Sequence, residues 1–459
     1  MHIYAKATAL LVAAALLLAL NACAPAGRPD AKLERPLLSR QEMSRRFTED
    51  VNWWQGYHDP ALNRHIELAL QNNTDLAKSA LRIHKALVNA QLAGADLFPT
   101  ASGELGASAR RELASGSHSH SYQSTLGLQY ELDLWQRFSN RTRAQEWEHE
   151  ATLADRESVR LSLIHSVVNA YYNLRYLMAA RQVQEKSIAR YRDLLALVRA
   201  KAEQGKVSPV ELQESARSLL AAEGNLSSLL AEEATTRQTL AGLLNCQAGA
   251  LPPVSESPLL ELTGLPVDLE VPVSALAARP DLQAAEARFA AAFYDLQSSS
   301  ASWYPALSLG GVLGTSASHQ SQFFTLPFLN GTLGLSLPFL DWARVRAKVQ
   351  ISKDDYELAR LDFINAVTVA LNEVWASYRI SEERRKELAL LQERLGRDEA
   401  ITAHYQARYR LGASELKDYL EALNSEDSTR QSLLQAKYAL LRDESTVYRA
   451  MGGRFLVRR

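Results

Sequence analysis

Two cysteines, Cys23 and Cys246, stand among 459 residues, which excludes a disulfide scaffold and any multi-cysteine metal centre. Four methionines are too few for a soft-metal relay. Charge of one sign is also lacking: 51 Lys and Arg face 52 Asp and Glu, a formal net charge of −1. That balance removes the electrostatic footprint of a nucleic-acid binder, so no nucleic-acid partner is expected. The apolar run over 8–20 is thirteen residues, too short to cross a hydrocarbon core of roughly 30 Å as a helix. Hydrolase, metalloprotease, P-loop and dinucleotide fingerprints are missing, so the chain reads as no enzyme. His118 and His120 lie together in a stretch read as an extracellular loop, without other ligand types to complete a metal site.

The apolar run follows Lys6 and ends in Leu20-Asn21-Ala22-Cys23. A short basic segment, an apolar stretch and small residues at the cut describe a secretion signal. The last four residues resemble the lipobox of bacterial lipoproteins. The resemblance implies a signal peptide over 1–22, cleavage before Cys23 and a covalent lipid on its sulfur, with no other cofactor. Ala24 rather than Asp in the next place implies the outer membrane. Residues 23–58 read as a polar lead from that anchor.

The rest is written twice. At an offset of 206, Leu70, Asp75-Leu76, Arg82, Ala86, Gln91, Ala95 and Pro99 meet Leu276, Asp281-Leu282, Arg288, Ala292, Gln297, Ala301 and Pro305. At 207, Thr125-Leu126-Gly127-Leu128, Trp135, Arg137, Tyr171 and Gly205 meet Thr332-Leu333-Gly334-Leu335, Trp342, Arg344, Tyr378 and Gly412. The organisation read from this is one repeat over 59–265, a second over 266–453 and a tail over 454–459.

Each repeat opens on a helical pattern, about 59–97 and about 275–303, with Asp59-Pro60 and Pro280 at the starts and Pro99 and Pro305 beyond the ends. The period then changes. Apolar residues at 126, 128, 130, 132 and 134 alternate with polar residues or glycine, the pattern of a strand with one apolar face. Hairpins are predicted over about 100–134 and about 306–340. Residues 296–340 contain no Asp, Glu, Lys or Arg, where a 22% charged average would place about ten. A lipid-facing hairpin excludes charge in this way. Pro327, Pro338 and the glycines at 310, 311, 314, 331 and 334 exclude a membrane-spanning helix. Trp303, Tyr304, Phe323, Phe324, Phe339 and Trp342 fall at the strand ends, as interfacial girdles do. A hairpin buried on a soluble helical core is the competing reading.

Residues 138–204 contain neither Pro nor Gly, and 343–411 contain no Pro. At 1.5 Å per residue the first would make a helix of roughly 100 Å. Ile164, Val167, Tyr171, Leu174 and Met178 are spaced 3, 4, 3, 4, as helices packed on helices require. Gly205-Lys206-Val207 and Gly412-Ala413-Ser414 turn the chain, and helices return to about 245 and about 451. Four strands in lipid cannot close alone, because the smallest barrels have about eight. Several copies must share one barrel, and three would supply 12 strands.

Trp53-Trp54, Asp59-Pro60-Ala61-Leu62, Asn73-Thr74-Asp75-Leu76, Leu97-Phe98-Pro99, Tyr130-Glu131-Leu132-Asp133-Leu134-Trp135, Arg279-Pro280-Asp281-Leu282, Tyr304-Pro305, Leu337-Pro338-Phe339 and Gly452-Gly453 come in an order and spacing that resembles one family. It is the TolC-type outer-membrane efflux channels, in the lipoprotein branch serving resistance-nodulation-division pumps. The resemblance covers essentially the whole mature chain. It implies an α+β membrane protein: a homotrimer with a 12-stranded β-barrel continued by an antiparallel α-helical coiled-coil tunnel across the periplasm. It also implies a passive exit duct for drugs or other toxic solutes, partnered by a periplasmic adaptor and an inner-membrane efflux pump.

The family closes its periplasmic end just after a glycine turn. Asp418 and Glu421 fall on its constriction carboxylates, and their i, i+3 spacing puts them on one helical face. Three copies would make two carboxylate rings, which attract cations. Tyr409 matches a tyrosine of the closing links. The family's basic residue two places after the glycine is Ser414 here, leaving Lys417 or Arg410 for that link. Glu211 and Glu214 repeat the spacing in the first copy but read as surface residues. Gly205, Lys206, Val207, Gly412, Ala413 and Ser414 match the tips that dock the adaptor. Alternatives are a duct for protein or toxin secretion and a structural coiled-coil lipoprotein.

Overall fold

The computed structural model describes residues 47–50, 52–114, 116–265, 273–317 and 327–457. The signal segment, Cys23, and Phe323 and Phe324 lie outside the described residues. In chain order the elements are β1 Phe47–Asp50, α1 Pro60–Asn72, α2 Thr74–Ala95, β2 Thr100–Arg111, β3 His118–Leu132, α3 Arg137–Glu203 and α4 Pro209–Leu244. The second repeat supplies α5 Pro280–Ala301, β4 Ala306–Ala317, β5 Pro327–Ser336, α6 Trp342–Arg410, α7 Leu416–Ala450 and β6 Arg454–Val457. No described helix is long and apolar enough to cross a membrane.

The chain divides into two compact units. One comprises residues 81–153 and 283–365 with the strands β2 to β5. These form one antiparallel sheet in the order β2-β3-β4-β5, so the two hairpins join through β3 and β4. The register sets Leu105 opposite Ser124, Leu126 opposite Leu313, Leu309 opposite Leu333, and Leu307 opposite Leu335. Because side chains alternate, Leu105, Leu126, Leu128, Leu309, Leu313, Leu329, Leu333 and Leu335 share one face. All eight are exposed, from 44% for Leu309 to 80% for Leu329. The opposite face carries Ser102, Thr125, Gly127, Gln129, Ser308, Gly310, Thr332 and Gly334. A soluble hairpin buried on helices would put its leucines inside; here they face out.

Around the hairpin ends, Trp135 stacks on Tyr304 at 4.6 Å and donates its indole N–H to Pro305 O at 2.8 Å. The Asp133 carboxylate accepts from the backbone N–H groups of Phe138 and Ser139 at 2.9 and 2.8 Å, starting α3 where the strand stops. His118 and His120 belong to β3, not to the loop expected for them.

The second unit comprises the described residues within 47–80, 154–282 and 366–457. Its main core gathers Trp53, Tyr57, Ile66, Ile164, Val167, Tyr171, Leu174 and Leu441, so the 3, 4, 3 spacing on α3 is a packing stripe. Asp59 caps α1 through the N–H groups of Ala61 and Leu62 and accepts from Tyr171 and, at 2.8 Å, from Arg175. Asp59 and Arg175 side chains are each 2% exposed, so neither tolerates loss of the other.

Two sequence expectations are corrected here. The first helix is not continuous over about 59–97. It breaks at Asn73, whose Oδ1 accepts from the N–H groups of Asp75 and Leu76 and restarts the chain as α2. Residues 47–50 and 454–457, read as parts of a lead and a tail, pair antiparallel as β1 and β6.

Candidate functional site

The residues singled out at the two turns come together at one end of the second unit. α3 ends at Gly205 with φ 67°, and α6 at Gly412 with φ 76°. Gly205 N–H donates to Ala202 O and Lys206 N–H to Lys201 O, both at 2.9 Å. Gly412 N–H donates to Tyr409 O at 3.2 Å and Ala413 N–H to Arg408 O at 2.8 Å. The same pair of bonds thus stops both helices, in a left-handed conformation that costs a residue with Cβ far more than glycine.

The returning helices start differently. Ser208 caps α4 and Glu211 answers it, the Ser208 N–H donating to Glu211 Oε1 at 3.2 Å. Glu211 is therefore committed to a capping box, which accounts for it without a gate role. At the equivalent place in α7, Glu415 is the N-cap with no side-chain bond, and Asp418 lies in the first turn. Asp418 makes no side-chain hydrogen bond or ion pair among the described residues. Glu421 is 68% exposed and meets Lys417 at 3.8 Å, an exposed pair that neutralises little. Both carboxylates remain available to a cation.

Tyr409 faces inward. Its side chain joins Leu194, Val198, Leu416, Tyr419 and Leu420 in a second apolar cluster, with Val207 and Leu212 of the first tip against it. Lys201 spans the two tips: its ammonium lies 3.8 Å from the Tyr409 ring centroid and donates to Tyr409 O at 2.8 Å. Burial, helped by the charge of Glu211, pushes the Tyr409 hydroxyl up to about 12. The Tyr409 hydroxyl and the buried Ser414 Oγ have no hydrogen-bond partner among the described residues. Of the basic residues considered for the link lost at Ser414, Lys417 pairs with Glu421 and Arg410 is exposed. Arg408 folds back onto Ala413 O at 2.7 Å.

A further staple lies behind the tips and was not read from sequence. Arg190 of α3 donates to Glu426 at 2.8 Å and also holds Asp427, while Tyr191 donates to Asn424 at 2.6 Å. Burial pushes the Glu426 carboxyl up, but hydrogen bonds from Arg190, Thr402 and Arg430 outweigh it and hold the group below its usual range. Its partners lie more than 230 residues apart, so no local spacing could reveal it.

A sheet with an exposed leucine face and two edges open among the described residues, in a chain whose duplicated helices end in matched glycine turns, defines a subunit of a membrane channel. The chain belongs to the outer membrane efflux protein family, whose model matches residues 65–246 and 271–453. "Toxin and drug export protein A" of Aggregatibacter actinomycetemcomitans is 37% identical over 420 residues, 91% of this chain and 92% of that protein. "Pyoverdine export outer membrane protein OpmQ" of Pseudomonas putida is 29% identical, covering 88% of each. The crystal structure of the channel CusC superposes with a TM-score of 0.83 at 22% identity, over 94% of this chain and 99% of that one. The expected fold and the efflux role are thereby met.

Proposed function

We propose that the chain is the exit duct of a tripartite efflux system, assembled as a homotrimer. The observation that carries this reading is the four-stranded sheet, with its leucines exposed and its β2 and β5 edges unpaired among the described residues. In hydrocarbon an unpaired edge is too costly to persist, so the sheet has to close through other copies. Three copies give a 12-stranded barrel. The paired helices continue it as a tunnel through the periplasm, and the tips at Gly205-Lys206-Val207 and Gly412-Ala413-Ser414 dock a periplasmic adaptor. Through that adaptor the duct receives solutes from an inner-membrane pump. A covalent lipid on Cys23 fastens each copy to the outer membrane.

Asp418 and Glu421 form the constriction. Neither is neutralised by a buried cation, so three copies set six carboxylates around the passage, which favours cations and resists anions. Tyr409, packed inward under Lys201, supports the turn on which those carboxylates sit.

The cargo is a drug or other toxic solute, chosen by the pump rather than by the duct. Export of a protein toxin is a second reading, favoured by the name of the relative that shares 37% identity. Purified protein in a planar bilayer tests the central reading. Cation-selective currents are expected, and a structural lipoprotein would give none. Cys23→Ser should abolish lipid labelling in cells, and persistent labelling would refute the anchor.

A further inference from the structure

We infer that the leucine-bearing face of the β2–β3 hairpin carries, beyond Tyr122, a contact for the phosphate groups of outer-leaflet lipid, made by Arg111, His118 and His120. The inference rests on the duct reading and gives a partner to a part of the sheet that the passage does not use.

The hairpin is longer than a membrane requires. β3 has 15 residues, His118–Leu132, and a tilted strand crosses the hydrocarbon in about 9–11. Counted from Leu132, the eleventh residue is Tyr122. The helices that flank the strands, α2, α3, α5 and α6, all join the sheet at the Leu132 end. Trp135 stacked on Tyr304 marks the membrane boundary there, and Tyr122 stands at the opposite boundary, as the aromatic girdles of a barrel do. Residues 118–121 and their partners 108–111 therefore stand past the hydrocarbon, on the side away from the helices. At about 3.4 Å per residue and a tilt near 40°, His120 lies about 5 Å beyond Tyr122 and His118 about 10 Å. A headgroup layer is about 5–7 Å deep on each side, and the long Arg111 side chain can reach back into it.

The face changes character at that level. The register sets Arg111 opposite His118 and Ala109 opposite His120. Alternation keeps all four on the leucine face, with Arg110, Ser119 and Ser121 on the other. The three polar residues lie about 5–8 Å apart. All three are exposed, and none has a side-chain hydrogen bond or ion pair among the described residues. Within β2 to β5 no carboxylate shares this face; Glu104 and Glu131 belong to the opposite one. Glu112, next in the chain to Arg111, accepts from Ser117 Oγ at 3.3 Å.

That patch is rich in donors and free of carboxylates. A guanidinium grips phosphate through two parallel N–H groups, and each imidazole adds an N–H. The apolar surface beside it commits the site to a lipid. Leu105 and Leu126, 75% and 58% exposed, lie on the same face on the hydrocarbon side of Tyr122. A phosphorylated lipid can lay its chains on those leucines while its headgroup meets the three donors. A free anion in water gains nothing from them.

Native mass spectrometry of the full mature channel in mild detergent tests the contact. Lipid A and enzymatically dephosphorylated lipid A are added in equal amounts. The phosphorylated lipid should bind the parent chain several-fold better. Arg111→Ser with His118→Ser and His120→Ser should abolish that preference. Arg110→Ser, next along the strand on the opposite face, should keep it. Arg111→Ser alone serves where the triple variant melts early, and should lower the preference. Equal binding of the two lipids to the parent, or a preference that survives in the triple variant, overturns the contact. Zinc chloride binding to the parent without any phosphate preference would assign the histidines to a metal ion and overturns it too. Channel currents of the parent judge the duct separately. A missing preference with currents intact removes this contact and leaves the duct standing, whereas absent currents remove the duct.

Discussion

Asn73 donates its side-chain amide to the carbonyl oxygen of Leu243 at 3.0 Å, fastening the start of α2 to the end of α4. In the second repeat Arg279, 206 places on, donates to the carbonyl of Ala450, 207 places beyond Leu243. Two different side chains thus make the same tie. Asn73 also caps α2, while Arg279 also binds Asp281 and Glu373 at 2.6 and 2.9 Å.

Asn73→Ala should therefore destabilise the fold by about 1–2 kcal/mol, the loss of a cap and a hydrogen bond. Arg279→Ala should cost more, because Glu373 and Asp281 lose a shared partner. Thermal unfolding in detergent, compared at equal protein concentration, checks both.

The gate assignment predicts that Asp418→Ala with Glu421→Ala raises single-channel conductance and reduces cation selectivity. Glu211→Ala should leave both unchanged and cost about 1 kcal/mol of stability instead, because that carboxylate serves a helix cap. Equal electrical effects of the two changes would contradict the distinction between the repeats.

At the tips nothing stands within 4 Å of a Cβ built on Gly205 or Gly412, so replacement there tests backbone conformation alone. Gly205→Ala and Gly412→Ala should each cost about 1–2 kcal/mol. Asn, which visits the left-handed region more readily, should cost less at both positions. Unfolding midpoints of the four variants decide.

His165 gives a pH prediction. Burial, then the charges of Arg449 and Arg442, lower its pKa to about 4, and its Nδ1 lies 2.9 Å from Ser445 Oγ. The folded chain holds the ring neutral while the unfolded chain protonates it near pH 6.5. Its stabilising share is thus present above pH 6.5 and lost as the pH falls toward 4. The loss is on the order of 3 kcal/mol. His165→Asn, which can keep the Ser445 hydrogen bond, should flatten that part of the stability profile measured by melting at pH 7 and pH 4.5.

What was legible in the sequence had a local period or a repeat behind it. Leu126 to Leu132 alternated, and they form a strand; Gly205 and Gly412 matched at 207, and they stop two helices with the same bonds. Pro280 marked the true start of α5. What stayed hidden depended on distant partners. Asp59 could be read as a cap but not as the partner of Arg175, 116 residues away. The break at Asn73 lay inside a helical pattern that continued on both sides. The pairing of β1 with β6 joins the two ends of the chain and leaves no periodic trace over four residues. The role of Glu211 was available from Ser208 three places earlier, a pattern that the pairing of carboxylates obscured.

The leucine face of the sheet also constrains the route by which the chain reaches its destination. A strand array that is greasy on one side and open at both margins has no safe resting form in water, where it would stick to any similar array it met. The helical unit, with its own core, can take shape early. On the proposed trimer, the hairpins would stay unpaired until lipid and sister copies arrive together, so insertion and oligomer closure would be a single event.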